Sequence, residues 1–259
     1  MSTPTFPNRQ AMVSFSYLAY VDEIVLPQPS DAQIKKDIEA AMPSVRPVLG
    51  SWSIVWGPVS YTVPGAVYPE NLMYVVKLES STETQYVAAI RGTNGKVLLD
   101  WLFEDFDIIQ TIPWSTFAPN ASGPGNISES TSIGLTILLN MLDPVTFQTL
   151  VQFLKSEMLS AGPLPVNPIS LCVTGHSLGG TLASALALYL RDNQQAWDPT
   201  SKATVTTIHF AAPTAGDSDF ATHFNNTFLY TGTPLPLWVD PNVAVTSTSY
   251  ANCCEINTT

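Results

Sequence analysis

The segment Leu171-Cys-Val-Thr-Gly175-His-Ser177-Leu-Gly179-Gly180 sets a serine between two glycines at G-x-S-x-G spacing. An apolar run leads into it and small residues, Thr181-Leu-Ala-Ser-Ala, follow. A serine on a sharp turn from strand to helix has its hydroxyl lifted above the sheet edge, and Gly175 and Gly179 allow the strand and helix to approach closely there. Such a hydroxyl suits acyl transfer, with the backbone N–H of Leu178 at the helix start as one donor to a developing oxyanion. A plain structural turn is the competing reading; the strand before, the helix after and the extra Gly180 favour the nucleophile.

Acyl transfer needs a second donor, a base and an acid that orients the base. Ala88-Ala-Ile-Arg91-Gly92-Thr93-Asn94 ends a strand ahead of the elbow, so Thr93 can offer a backbone N–H and a hydroxyl. Taken alone, Arg-Gly-Thr is an ordinary surface turn, and only its order before the elbow gives it weight. The three histidines are less accommodating. His176 adjoins Ser177, a position that supports the turn better than it serves as base. His209 lies inside a strand, where packing is the expected role, and His223 falls on a helix after that strand, as a surface or packing residue or a displaced base. No histidine follows residue 223. Asp217, Asp219 and Asp240 are candidate acids with no evident base to orient.

These residues need elements to hold them. Residues 7–20 read as a helix docking through Met12, Phe15, Leu18 and Ala19, although the aromatic content also allows a strand. Ser30 starts a second helix that runs to about Met42. Trp52 to Val63, Leu72 to Leu78 and Thr84 to Ile90 read as strands. Helices are expected from Ser132 to Met141, Val145 to Leu159 and Leu178 to Leu190, with strands at Ser170 to Thr174 and Ala203 to Phe210. This alternation predicts an α/β fold with a mostly parallel central sheet flanked by helices. From Phe103 to Ser130 little regular pattern is visible, and the region's length and apolar residues (Ile109, Ile112, Trp114, Phe117) suit a lid or binding loop over an apolar ligand, or else an ordinary surface excursion.

Length and composition set the outer bounds. The 259 residues suffice for one sizeable core, so residues 1–259 are expected to form a single domain. The net charge of -11 opposes attraction to a phosphate backbone, which argues against nucleic acid as a partner. Cys172 reads as a buried strand residue, and with Cys253 and Cys254 adjacent near the terminus there is neither a disulfide framework nor a zinc pattern. The opening residues lack a secretory signal and no apolar run reaches membrane-spanning length, so a soluble, cytoplasmic chain is expected. Four Asn-x-Ser/Thr patterns, at Asn120, Asn126, Asn225 and Asn257, leave a secreted form open.

Taken together, the motifs resemble those of the fungal-type class 3 lipase family. The matching pieces are Ala89-Ile-Arg-Gly-Thr93, Asp100-Trp-Leu-Phe-Glu-Asp105, Glu129-Ser-Thr-Ser-Ile-Gly-Leu, Gly175-His-Ser-Leu-Gly-Gly180 and Phe210-Ala-Ala-Pro-Thr-Ala-Gly-Asp-Ser-Asp-Phe220-Ala. They run in the family's order over roughly residues 50–225. The resemblance implies the α/β-hydrolase fold and cleavage of acylglycerols or related carboxylic esters without a cofactor. It implies Ser177 as nucleophile, Thr93 and Leu178 as oxyanion residues, and a lid in the 103–130 region. Beyond Phe224 the match fades: if Pro236 corresponds to the family's proline, Thr233 stands near the place of the catalytic Asp, and no residue matches the catalytic His. Three readings follow: a truncated or alternatively spliced esterase, an enzyme with another base such as His223 or His209, or a lipase-like protein that binds an acyl ester or other lipid-like molecule without turnover.

Overall fold

The computed structural model describes residues 9–21, 29–45, 51–62, 71–92, 110–121, 125–162, 165 and 167–228. In order these form α1 (Arg9–Leu18), α2 (Asp31–Ala41), β1 (Ser53–Tyr61), β2 (Asn71–Glu79), β3 (Thr84–Arg91), β4 (Thr111–Pro113), β5 (Asn126–Ser128), α3 (Glu129–Asn140), α4 (Leu150–Ser160), β6 (Ile169–His176), α5 (Leu178–Asp192), α6 (Gln194–Trp197), β7 (Ala203–Phe210) and α7 (Ser218–Thr227).

The central sheet has the order β1-β2-β3-β6-β7. β1, β2 and β3 pair antiparallel, while β3 with β6 and β6 with β7 pair parallel. The expectation of a mostly parallel sheet is therefore corrected to a mixed one. The physical reason lies in the connections: β2 reaches β3 through a tight turn closed by Ser80 N–H to Glu83 C=O (3.0 Å), and so short a link reverses the chain. β6 reaches β7 through helix α5, long enough to return the chain to the same end of the sheet.

Strand alternation divides the core into two sides. Leu72, Tyr74, Val76, Val87, Ala89 and Cys172 face α1 and α2, against Met12, Phe15, Ile34 and Ile38. Met73, Val75, Ala88, Ile90, Leu171 and Val173 face the opposite way, into the larger core built by α3, α4, α5 and α7. The result is a sheet between helical layers. Three tryptophans, Trp56, Trp114 and Trp197, are fully buried and each donates its indole N–H, to Gln148 C=O (3.0 Å), Asp192 Oδ2 (2.7 Å) and Leu190 C=O (2.9 Å) respectively.

The helix expected from Val145 begins instead at Leu150. Asp143 captures the intervening residues, its carboxylate accepting from the N–H of Val145 (3.0 Å), the N–H of Thr146 (2.7 Å), the Thr146 hydroxyl (2.9 Å) and the N–H of Gly57 (2.7 Å). Thr149 and Gln152 then close a capping box that starts α4. Within the region read as a lid, β4 and β5 pair antiparallel around a short 3₁₀ turn, and Trp114, Ala118 and Ile127 enter the main core. Residues 103–109 and 122–124 of that region lie outside the described residues.

Candidate active site

Ser177 stands between the last residue of β6 and the first of α5, with φ 55° and ψ -130°. A positive φ is costly for a residue with a Cβ, on the order of 1–3 kcal/mol, and persists only where the surroundings enforce it. Here they do. A Cβ on Gly175 would run into the backbone carbonyl of Gly179, and a Cβ on Gly179 would meet Gly92 N and Ile90 O at 2.5 Å. The ends of β3 and β6 and the start of α5 are thus in backbone contact, while Ser177 N–H is tied to Phe210 C=O at the end of β7 (2.9 Å).

Five helices, α2, α3, α4, α5 and α7, open on a Ser, Thr or Asp. Ser30, Ser128, Thr149 and Asp217 accept from the N–H of Gln33, Thr131, Gln152 and Phe220, as capping residues ordinarily do. Ser177 makes no such bond, so its hydroxyl is not engaged in capping the helix it opens. Gly180 N–H bonds to Ser177 C=O (2.8 Å), while the N–H groups of Leu178 and Gly179 lie ahead of it at the positive end of the helix. Both Ser177 and Leu178 are half-buried. Thr93 lies outside the described residues, as do Asp240, Thr233, Cys253 and Cys254; the described chain reaches Gly92, one residue short of Thr93.

The three histidines each have other surroundings. His176 lies between the rings of Tyr17 (5.3 Å between centroids) and Tyr20 (6.2 Å). His209 is buried in β7 with its ring edge-on to Phe224, and burial pulls its pKa down from 6.5 to about 4. His223 Nε2 sits 2.9 Å from Asp192 Oδ2. Because Asp192 ends the helix that Ser177 opens, about 22 Å of helix separates His223's partner from the serine. Among the described residues no histidine is hydrogen-bonded to Ser177. Asp217 caps α7 and also accepts from the backbone N–H and side-chain amide of Asn126 (3.1 and 2.7 Å). Burial pushes its carboxyl up, but these donors outweigh it and hold the pKa below the ordinary aspartate value. Burial pushes the Cys172 thiol up to about 12, which leaves it unreactive.

Sequence reasoning missed Tyr20. Its hydroxyl accepts the N–H of Gly92 (3.1 Å) and donates to the C=O of His176 (3.2 Å), touching both strands next to the elbow. No local pattern marks such a residue, because its partners lie 72 and 156 positions away. Among the described residues no group of three or more His, Cys, Asp or Glu could hold a metal ion.

The model of the family described as lipase (class 3) matches residues 87–233, more than half of the chain. The chain belongs to the class 3 lipase family. Membership agrees with the crystal structure of M37 lipase, similar at TM-score 0.74 and 35% identity over 86% of this chain and 64% of that one. The lipase of Rhizopus microsporus var. chinensis gives TM-score 0.50 at 16% identity, covering 86% and 64%. The nonglycosylated LIP2 lipase of Yarrowia lipolytica gives 0.52 at 17%, covering 84% and 63%; at these identities the two fungal lipases share the fold alone. The chain therefore spans just under two thirds of the length of these solved lipases. No curated protein sequence matches it. No helix among the described residues is long and apolar enough to cross a membrane.

Proposed function

We propose that this class 3 lipase chain carries the nucleophile and oxyanion half of a serine carboxylic-ester hydrolase acting on acyl esters. The observation that carries the reading is the uncapped, positive-φ Ser177 at the junction of β6 and α5. Ser177 Oγ attacks the ester carbonyl, the N–H of Leu178 and the N–H and hydroxyl of Thr93 receive the oxyanion, and water releases the acyl group from the acyl-enzyme. The 103–130 region serves as the lid over an apolar acyl chain, with Trp114 anchoring its described part in the core. No cofactor enters this chemistry. None of the chain's three histidines stands as a base beside Ser177, so turnover calls for a base from elsewhere.

That last point favours a second reading, in which the chain binds a lipid-like ligand without hydrolysing it. Intact mass after exposure to a fluorophosphonate, with Ser177→Ala alongside, separates the two. One adduct per chain, lost in Ser177→Ala, supports the hydrolase. A folded chain that takes up no adduct sinks it and leaves ligand binding as the activity to measure, by displacement of a fluorescent fatty acid.

A further inference from the structure

We propose that Tyr20 is a positioning residue that holds the end of β3 against the elbow carrying Ser177 and Leu178; this rests on the reading of Ser177 as nucleophile. The parallel ladder between β3 and β6 runs in register from Thr84↔Ile169 to Ile90↔Gly175. Beyond that pair β3 ends at Arg91 and Gly92, while β6 leads through His176 to Ser177 and Leu178. The Tyr20 hydroxyl stands between them, accepting a hydrogen bond from Gly92 N–H at 3.1 Å and donating one to the His176 C=O at 3.2 Å. It acts as one added rung that prolongs the ladder past its last backbone pair.

The hydroxyl is itself held in place. Helix α1 is docked on the sheet by the Tyr74 hydroxyl, which donates to Phe15 C=O (2.7 Å), and by Ser16 Oγ, 2.9 Å from Thr174 Oγ1. The turn after α1 is closed by Tyr20 N–H to Tyr17 C=O (3.0 Å), which fixes the root of the side chain. At the far end there is no slack either, for a Cβ on Gly92 would lie 3.0 Å from the Tyr20 hydroxyl and 2.7 Å from Gly179 N. Oxyanion donors act only when they are set to within a fraction of an ångström. A hydroxyl bonded to Gly92 and to the residue before Ser177 is placed to hold the elbow, and with it the Leu178 N–H, in position.

The test compares wild type, Tyr20→Phe and Tyr17→Phe in the whole chain. Tyr17 stacks on His176 through its ring, which the Phe variant retains. Three quantities are read: thermal midpoint, fluorophosphonate labelling resolved into probe affinity and maximal rate, and hydrogen exchange of the Gly92 amide. We expect Tyr20→Phe to fold, to exchange Gly92 at least about tenfold faster, and to lose about 10- to 100-fold in maximal labelling rate with probe affinity within about twofold. Tyr17→Phe should match wild type. A labelled wild type with an equally fast Tyr20→Phe overturns the proposal. So does a wild-type Gly92 amide that exchanges as freely as an open loop, a result that needs no variant. If wild type takes no label, the nucleophile reading fails and the positioning role falls with it; accelerated Gly92 exchange in Tyr20→Phe then identifies the tie as architecture alone.

Discussion

His223 Nε2 and the indole N–H of Trp114 meet on one oxygen, Asp192 Oδ2, at 2.9 and 2.7 Å. The cluster joins α7, the turn after β4 and the C-terminus of α5, at the end of that helix remote from Ser177. Replacing His223 with Ala should therefore cost stability, about 1–3 kcal/mol for a buried hydrogen-bonded group, while leaving Ser177 reactivity within about twofold. Denaturant midpoints and fluorophosphonate labelling rates of the folded variant check the two halves separately. A large loss of labelling without a loss of stability would contradict this placement.

Two glycines should respond in opposite ways to an added methyl group. Gly175→Ala drives a Cβ into the Gly179 carbonyl, which is backbone and cannot step aside, so a loss of more than about 3 kcal/mol and of Ser177 labelling is expected. Gly134→Ala in α3 meets only the side-chain end of Leu182, and the gain in helix propensity, about 1 kcal/mol, works against that crowding. Its stability should stay within about 1 kcal/mol of wild type by chemical denaturation.

His209 gives stability a specific pH dependence. The folded chain keeps the ring neutral down to about pH 4, whereas an unfolded chain protonates it near 6.5. The unfolded state takes up the proton first, so stability is full above about pH 6.5 and falls as the pH drops toward 4, by up to about 3 kcal/mol. In His209→Gln the slope between pH 7 and pH 5 should flatten. Equal slopes in the two proteins, measured by urea unfolding, would contradict the assignment.

Asp143 should be sensitive in the same direction at lower pH. Burial pushes its carboxyl up, but the N–H groups of Thr146 and Gly57 with the Thr146 hydroxyl outweigh it and hold it below the ordinary aspartate value of 3.8. Its contribution is present above that value and is lost as pH falls through the depressed folded value. Asp143→Ala leaves the buried Gly57 N–H without its acceptor and frees the turn at Thr146, and should cost about 1–3 kcal/mol at neutral pH, with a smaller loss in strong acid. Midpoints at pH 7 and pH 3 provide the comparison.

What was legible in the sequence followed from local signals. β7 occupies Ala203–Phe210 as expected, because β-branched residues lie between clear breaks. α5 starts at Leu178 because the glycines of the elbow admit no other close path. The start of α4 was missed because the carboxylate of Asp143 holds the next residues in a turn, though Thr149 and Gln152 carried the capping signature. The mixed sheet was also readable, since the four residues between Glu79 and Thr84 are too few for a parallel return. The three-residue strands β4 and β5 are too short to show a period. Tyr20 and the His223–Asp192 pair were not readable, because they depend on which distant backbone and carboxylate groups the fold brings near.

The docking of α1 also bears on the order of assembly. Ser16 and Tyr20 find Thr174 and His176 at separations of 158 and 156 residues. Contacts of such span are closed late, after the loop entropy between them has been paid. During synthesis Met12 and Phe15 of α1 find cover on α2 and β2 as these emerge, and the bonds to Thr174 and His176 close only when β6 arrives. The elbow accordingly forms only after Phe210 has been made, and a nascent chain stalled before residue 176 carries α1 without the site it secures.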